Sequence, residues 1–233
     1  MTNKELVEKS PLRSFEQSLH GGLGKGNIGI LASLKGLGKT ACLVHIAVDK
    51  LFQEKPVIHV SYSSRVDYIM TWYEDILKEI TKDMDPGQAQ EIRDEATKHL
   101  VVMNFKQEGT KTEQVLKSLE EMIEFGKFAA DTIIVDGYHF TAAAVQDLEK
   151  FKDLAGRLEL EVWFSASLRG EGPHFDENGI PFILKDGLEA IDVLITLHSK
   201  AHFVRLDTVK DREYPPAGEL PLKLDPRTLL IAE

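Results

Sequence analysis

The chain has 233 residues, a formal charge of -10, 42% hydrophobic and 28% charged residues, an ordinary globular composition with enough length for one sizeable core. The acidic balance weighs against a DNA-coating surface but leaves room for a local basic groove. A single cysteine, Cys42, excludes an internal disulfide framework and a cysteine zinc site, and its apolar surroundings read as an inert buried thiol.

Met1 to Lys9 is charged and holds no apolar segment, so it does not read as a signal peptide. No apolar run approaches a membrane span. These features predict a cytoplasmic protein with one domain over 1–233, residues 1–13 being an N-terminal tail. Asn27 to Ala32 is a short apolar run that predicts a buried strand. It leads into Ser33-Leu34-Lys35-Gly36-Leu37-Gly38-Lys39-Thr40, which fits the phosphate-loop pattern G-x-x-x-x-G-K-S/T with Ser in the first place. Ala41 to Lys50 then predicts a helix with few polar breaks. Small residues let backbone N–H groups curl around a phosphate, Lys39 reaches the β- and γ-phosphates, and the Thr40 hydroxyl holds Mg²⁺. The helix beginning near Ala41 points its positive end at the anion. Ser33 costs about 1 kcal/mol if that position needs φ > 0.

Strand and helix patterns then alternate. Val57 to Ser61 predicts a strand, and Val66 to Lys82 an amphipathic helix with Ile69, Trp72, Tyr73, Ile76, Leu77 and Ile80 on one face. Met84 to Lys98 is a polar helix opened by Asp85-Pro86. A strand follows at Leu100 to Phe105, a helix at Thr112 to Phe128, a strand at Thr132 to Val135, a helix at Ala142 to Leu158 and a strand at Glu161 to Ser165. Past a Gly/Pro-rich loop come three short strands, Val193 to Leu197, Phe203 to Val209 and Leu220 to Leu224, spaced as an antiparallel meander. The predicted class is α/β, a doubly wound, mostly parallel sheet with a C-terminal antiparallel extension. Phosphates in such sheets bind beyond the carboxyl ends of the strands.

Thr132-Ile133-Ile134-Val135-Asp136 ends an apolar strand in a carboxylate. In a phosphate-loop fold the strand beside the loop strand carries an Asp that helps hold Mg²⁺, and Asp136 is that candidate. Together these stretches resemble the RecA-type ATPase core, nearest to the DnaB-type helicase, RadA and KaiC branch. The lead-in Ser14 to Gly26 with its Gly-Gly-Leu, the loop Ile30 to Ala41, Phe151 to Leu158, Val209 to Arg212, and Leu222 to Pro226 carry the likeness over most of the chain. The resemblance implies ATP and Mg²⁺ as ligands. It assigns the phosphate cradle to Ser33, Lys35, Gly36, Leu37, Gly38, Lys39, Thr40 and Ala41, and the metal to Thr40 and Asp136. It also makes Lys210 and Arg212 a basic pair that reaches a neighbouring subunit's γ-phosphate. Alternation puts residues two apart on one strand face, and such a pair implies a ring or filament of copies.

The departures are as informative. Relatives place a Glu just after the second strand to polarise water, but Ser61-Tyr62-Ser63-Ser64-Arg65 has no carboxylate. Ser63 orients a water but is a poor base, and Glu74 and Asp75 lie further along the next helix, facing away. The helicases' polar γ-phosphate sensor is replaced by Ala166, with Ser165 or Ser167 serving if the register slips. A lost general base costs about 10²–10⁴-fold in rate. The loop Arg169 to Gly179 is more acidic than basic, which disfavours DNA, and Tyr138-His139-Phe140-Thr141 offers aromatics without a cation. His139 and His174 read as loop histidines. The expectation is an ATP-binding module with slow or lost hydrolysis, regulating a protein partner; the alternative is an active oligomeric DNA-dependent ATPase. A small-molecule kinase lacks the expected lid arginines.

Overall fold

The computed structural model describes residues 2–62, 65–141 and 145–233. The chain folds as α1 (Asn3–Glu8), α2 (Leu12–Ser18), β1 (Asn27–Leu34), α3 (Lys39–Phe52), β2 (Val57–Ser61), α4 (Val66–Ile80), α5 (Pro86–Thr97), β3 (Leu100–Asn104) and α6 (Thr112–Glu120). There follow β4 (Thr132–Asp136), α7 (Leu148–Leu158), β5 (Glu161–Leu168), a 3-10 helix (Phe182–Ala190), β6 (Val193–Ser199), β7 (Val204–Asp211), β8 (Gly218–Leu224) and β9 (Ile231–Ala232). The strands form one sheet in the order β3-β2-β4-β5-β1-β6-β7-β8-β9. The pairings from β3 through to β6 are parallel, and those from β6 to β9 are antiparallel. The expected α/β architecture with a mostly parallel sheet and an antiparallel C-terminal extension is therefore present.

Helices cover both sheet faces because the central strands are apolar on both sides. Leu31, Val57, Ile134, Trp163 and Ile195 pack against α1 to α5, while Ile30, Ile58, Val135, Phe164 and Leu194 pack against α6, α7 and the 3-10 helix. Each set recurs with the two-residue period of a strand. On α4, Ile69, Tyr73, Ile76 and Leu77 are buried, while Trp72 and Ile80 are partly buried against the same cluster. Gly29 lies where the indole of Trp163 crosses β1, and a Cβ there would sit 2.4 Å from the ring.

Several boundaries differ from expectation. Residues 1–13, expected as a tail, hold α1 and the start of α2, with Leu6 and Leu12 buried. Thr2 opens α1 with a capping box to Glu5. The helix expected through Phe128 ends its α-helical part at Glu120 and continues as a π-turn, Glu121–Phe125. The 3-10 helix fell inside the stretch read as a Gly/Pro-rich loop, and β9 lies beyond the last expected strand, where no element was expected. The start of the helix expected at Ala142 lies outside the described residues.

Candidate functional site

β1 carries the chain to the carboxyl edge of the sheet, and residues 35–38 turn it into α3. That reversal needs left-handed backbone at Gly36 (φ +86°) and Gly38 (φ +88°), which only glycine adopts cheaply. Gly38 has a second reason to lack a side chain, since a Cβ there would lie 2.1 Å from Leu224 Cδ2 on β8. Ser33 is still extended strand and is not among the residues with positive φ, so it carries no glycine-type strain. Leu34, Lys35 and Gly36 are exposed, Leu37 and Gly38 half-buried, and Ala41 fully buried on α3.

Lys39 is buried, and its ammonium lies back across the loop. Nζ donates to the Ser33 carbonyl at 3.1 Å, the Ser33 hydroxyl at 2.9 Å and the Leu34 carbonyl at 3.0 Å. The Ser at the loop's first position therefore supplies an oxygen that glycine lacks. Burial pulls the Lys39 pKa down to about 8, with Asp136 opposing the shift. Thr40, one residue on, donates from Oγ1 to Asp136 Oδ2 at 2.9 Å.

Asp136 ends β4, but β4 does not lie beside β1 as expected: β5 runs between them. The inserted strand contributes Ser165, whose Oγ donates to Asp136 Oδ1 at 2.6 Å and accepts from the Gly137 amide at 2.8 Å. Both Asp136 oxygens are thus fixed by hydroxyl donors on different elements. Ser165 was anticipated only as a substitute sensor; its spacing of two from Trp163, which packs on the α3 face, was the signal that it faces the loop. Ala166 points to the opposite face and is fully buried there.

Two further buried groups sit on this face below the carboxylate. His59 on β2 pairs through Nδ1 with the Tyr73 hydroxyl of α4 at 3.0 Å, and its Nε2 has no hydrogen-bond partner among the described residues. Burial lowers the His59 pKa to about 4, so the ring is neutral near pH 7, and Asp136 opposes the shift. Burial likewise pushes the Cys42 thiol up to about 12, which makes it a poor nucleophile.

In the stretch after β2, Ser61 is buried opposite Asp136 in register and Tyr62 donates its amide to the Asp136 carbonyl at 3.0 Å. Ser63 lies outside the described residues. Arg65 pairs with Asp67, and Glu74 and Asp75 are exposed on α4, Glu74 facing Lys78. No carboxylate from these described segments joins Asp136 at the loop.

Lys210 and Arg212 do not share a face. β7 ends at Asp211, and Arg212 turns into left-handed backbone (φ +50°), which breaks the strand alternation. Lys210 Nζ donates to the carbonyls of Leu188 at 2.7 Å and Ile191 at 2.5 Å. The Arg212 guanidinium turns instead to the carbonyls of Leu19, Gly22 and Leu23 and to Asp211. His20 completes that corner through Asp211 at 2.7 Å and a stacked Tyr214. Lys210 pairs in register with Leu194, which pairs with Ile30. That is four residues before Leu34, or about 13 Å back along the strand, so neither cation belongs to its own chain's loop.

Among the described residues no helix is long and apolar enough to cross a membrane. No family model and no curated protein matches this chain.

Proposed function

We propose that this chain is a RecA-like ATP-binding protein that takes ATP with Mg²⁺ at the loop 33–41, hydrolyses it slowly or not at all, and acts as a nucleotide-dependent regulatory module. The observation that carries the reading is the meeting of Lys39, Thr40 and Asp136 at the carboxyl edge of a parallel sheet, with Thr40 and Asp136 only 2.9 Å apart although β5 separates β1 from β4. The donor set fits a hard divalent cation. Adjacent oxygens around Mg²⁺ in an octahedron of radius about 2.0–2.1 Å lie about 2.9 Å apart, the spacing of Thr40 Oγ1 and Asp136 Oδ2. Ser165 holds the other carboxylate oxygen and fixes the orientation of Asp136. Lys39 supplies a fixed positive charge, and the first turn of α3 offers backbone amides that no side chain caps. Bound Mg²⁺ would neutralise phosphate charge.

Slow turnover follows from the groups around the loop. Neither Ser61, Tyr62 nor Arg65 is a carboxylate, and the tether of Arg212 to residues 19–23 argues against a finger reaching a neighbour. The alternative, an oligomeric DNA-dependent ATPase, needs both a base and a free finger. Equilibrium binding of ATP with Mg²⁺, run beside steady-state phosphate release and a Lys39→Ala control, separates the two. Micromolar-range binding that Lys39→Ala weakens at least about tenfold, about 1.4 kcal/mol, with release no faster than the control, supports the module. Release that climbs more than linearly with protein concentration and vanishes in Lys39→Ala establishes the oligomeric ATPase instead. No binding to either protein refutes both.

A further inference from the structure

Lys39 sits in the loop with all of its donors in use. An ammonium has three N–H donors, and Nζ bonds the Ser33 carbonyl, the Ser33 hydroxyl and the Leu34 carbonyl. None of these acceptors carries a charge. Lys39 is 6% exposed, and a cation so buried depends on its protein hydrogen bonds. A phosphate oxygen therefore gains Lys39 only by displacing one of the three.

The three acceptors are not held alike. Ser33 and Leu34 end β1 and pair in register with Ser167 and Leu168 of β5, so the sheet sets their carbonyls. The Ser33 hydroxyl turns about a single bond. It also has a second partner, donating to the Leu34 carbonyl at 2.9 Å. Letting go of Lys39 thus leaves the hydroxyl bonded, and the exchange orphans no buried polar group. With Gly or Ala in its place, the empty loop would hold the ammonium on two carbonyls and leave one buried N–H unpaired, a fault that a phosphate oxygen repairs.

We propose that Ser33 is a positioning residue that satisfies Lys39 in the empty loop and competes with phosphate for it. On binding, the ammonium keeps the two carbonyls and exchanges the Ser33 hydroxyl for a phosphate oxygen. The hydroxyl stabilises the empty state only, so it lowers affinity for the phosphate chain. The inference rests on the reading of residues 33–41 as a phosphate loop and adds a regulatory role for the residue in its first place.

The test uses the full ¹⁵N-labelled chain, NMR of the lysine ammonium groups, and two probes, tripolyphosphate with Mg²⁺ and ATP with Mg²⁺. Loss of one signal in Lys39→Ala assigns Lys39 Nζ. In the natural chain that signal is expected to be visible without ligand, because its protons are held, and to shift on saturation with tripolyphosphate. Ser33→Ala is expected to broaden or erase the free signal and to bind tripolyphosphate about tenfold more tightly, the worth of one hydrogen bond to a charged group. A serine with a merely structural role would instead weaken binding when removed and leave the signal in place. Equal or weaker binding by Ser33→Ala, a free Lys39 signal unchanged by Ser33→Ala, or a natural-chain signal that stays put on saturation would each overturn the proposal. The last outcome needs no substitution at Ser33, so the test holds even where Ser33→Ala fails to fold. Tripolyphosphate binding that tightens in Ser33→Ala while ATP binds neither protein removes ATP from the proposed function and leaves the role of Ser33 standing. No binding of either probe overturns both.

Discussion

Gly38→Ala tests whether the antiparallel extension braces the phosphate loop. Ala at φ +88° enters left-handed backbone, at a cost of about 1–2 kcal/mol. Its Cβ would also stand 2.1 Å from Leu224 Cδ2, and Leu224 is 1% exposed, so the leucine has little space into which to turn. Overpacking of this kind costs about 1–3 kcal/mol. The single variant should therefore lose about 2–5 kcal/mol in urea unfolding, with the m-value unchanged. Leu224→Ala alone opens a cavity and loses about 2–5 kcal/mol. The double variant should lose less than the sum by about 1–3 kcal/mol, because the methyl introduced at position 38 then occupies space that Leu224 vacated. The strain term remains, so Gly38→Ala is not fully rescued. Additivity within about 0.5 kcal/mol would refute the contact between β8 and the loop. A Gly38→Ala cost below about 1 kcal/mol would refute the left-handed conformation as well.

Gly29→Ala should lose about 3 kcal/mol or more in the same assay, since the new Cβ meets the buried Trp163 ring at 2.4 Å on a central strand; a loss under about 0.5 kcal/mol would show that β1 and β5 pack otherwise. Ser165→Ala removes one donor from Asp136 and the acceptor of the Gly137 amide. It should raise the Mg²⁺ concentration needed for ATP binding about tenfold while Mg²⁺-free binding stays put; an unchanged Mg²⁺ titration would remove Ser165 from the site. His45 is held neutral by burial, with its pKa lowered to about 3 against an unfolded value near 6.5. Between those values the unfolded chain binds the extra proton. The contribution of His45 is therefore complete above about pH 6.5 and is lost as the pH falls toward 3, by up to about 1.4 kcal/mol per unit. Urea midpoints at pH 7 and pH 5 should fall more steeply for the natural chain than for His45→Gln; parallel slopes would place His45 in solvent.

Much of this architecture was legible because local signals and burial agree. β2, Val57–Ser61, has the bounds expected from its apolar run, and it is buried along its whole length. The loop was legible because glycines, Lys39 and Thr40 stand at fixed spacing between an apolar strand and an apolar helix. The helices before β1 were missed although Thr2 and Glu5 form a readable capping box and Leu12, Phe15 and Leu19 recur at helical spacing. Their charged neighbours masked that pattern. The 3-10 helix lay in a stretch rich in glycine and proline, where sequence propensity marks loop, and only the burial of Leu184 and Ala190 fixes it.

What periodicity cannot supply is strand order, and here strand order decides the chemistry. Parallel strands are joined by crossovers, so neighbours in sequence need not be neighbours in the sheet. β5 arrives after β4 yet lies between β4 and β1. That insertion puts Ser165 within reach of Asp136 and makes a hydroxyl, rather than a carboxylate, the nearest neighbour of the candidate metal ligand. The same limit explains Lys210 and Arg212. Alternation holds only while the backbone stays extended, and one left-handed residue at Arg212 sends the two cations to different segments of their own chain. A finger reaching a neighbouring copy would first have to leave the carbonyls of Leu19, Gly22 and Leu23 and the carboxylate of Asp211. Bonds of a guanidinium to such partners contribute about 1.5–3 kcal/mol each at most, so release has a definite cost. A subunit interface that recruited Arg212 would therefore also have to rearrange residues 19–23, the link from α2 to β1, which ties any assembly on that edge to the position of the N-terminal helices.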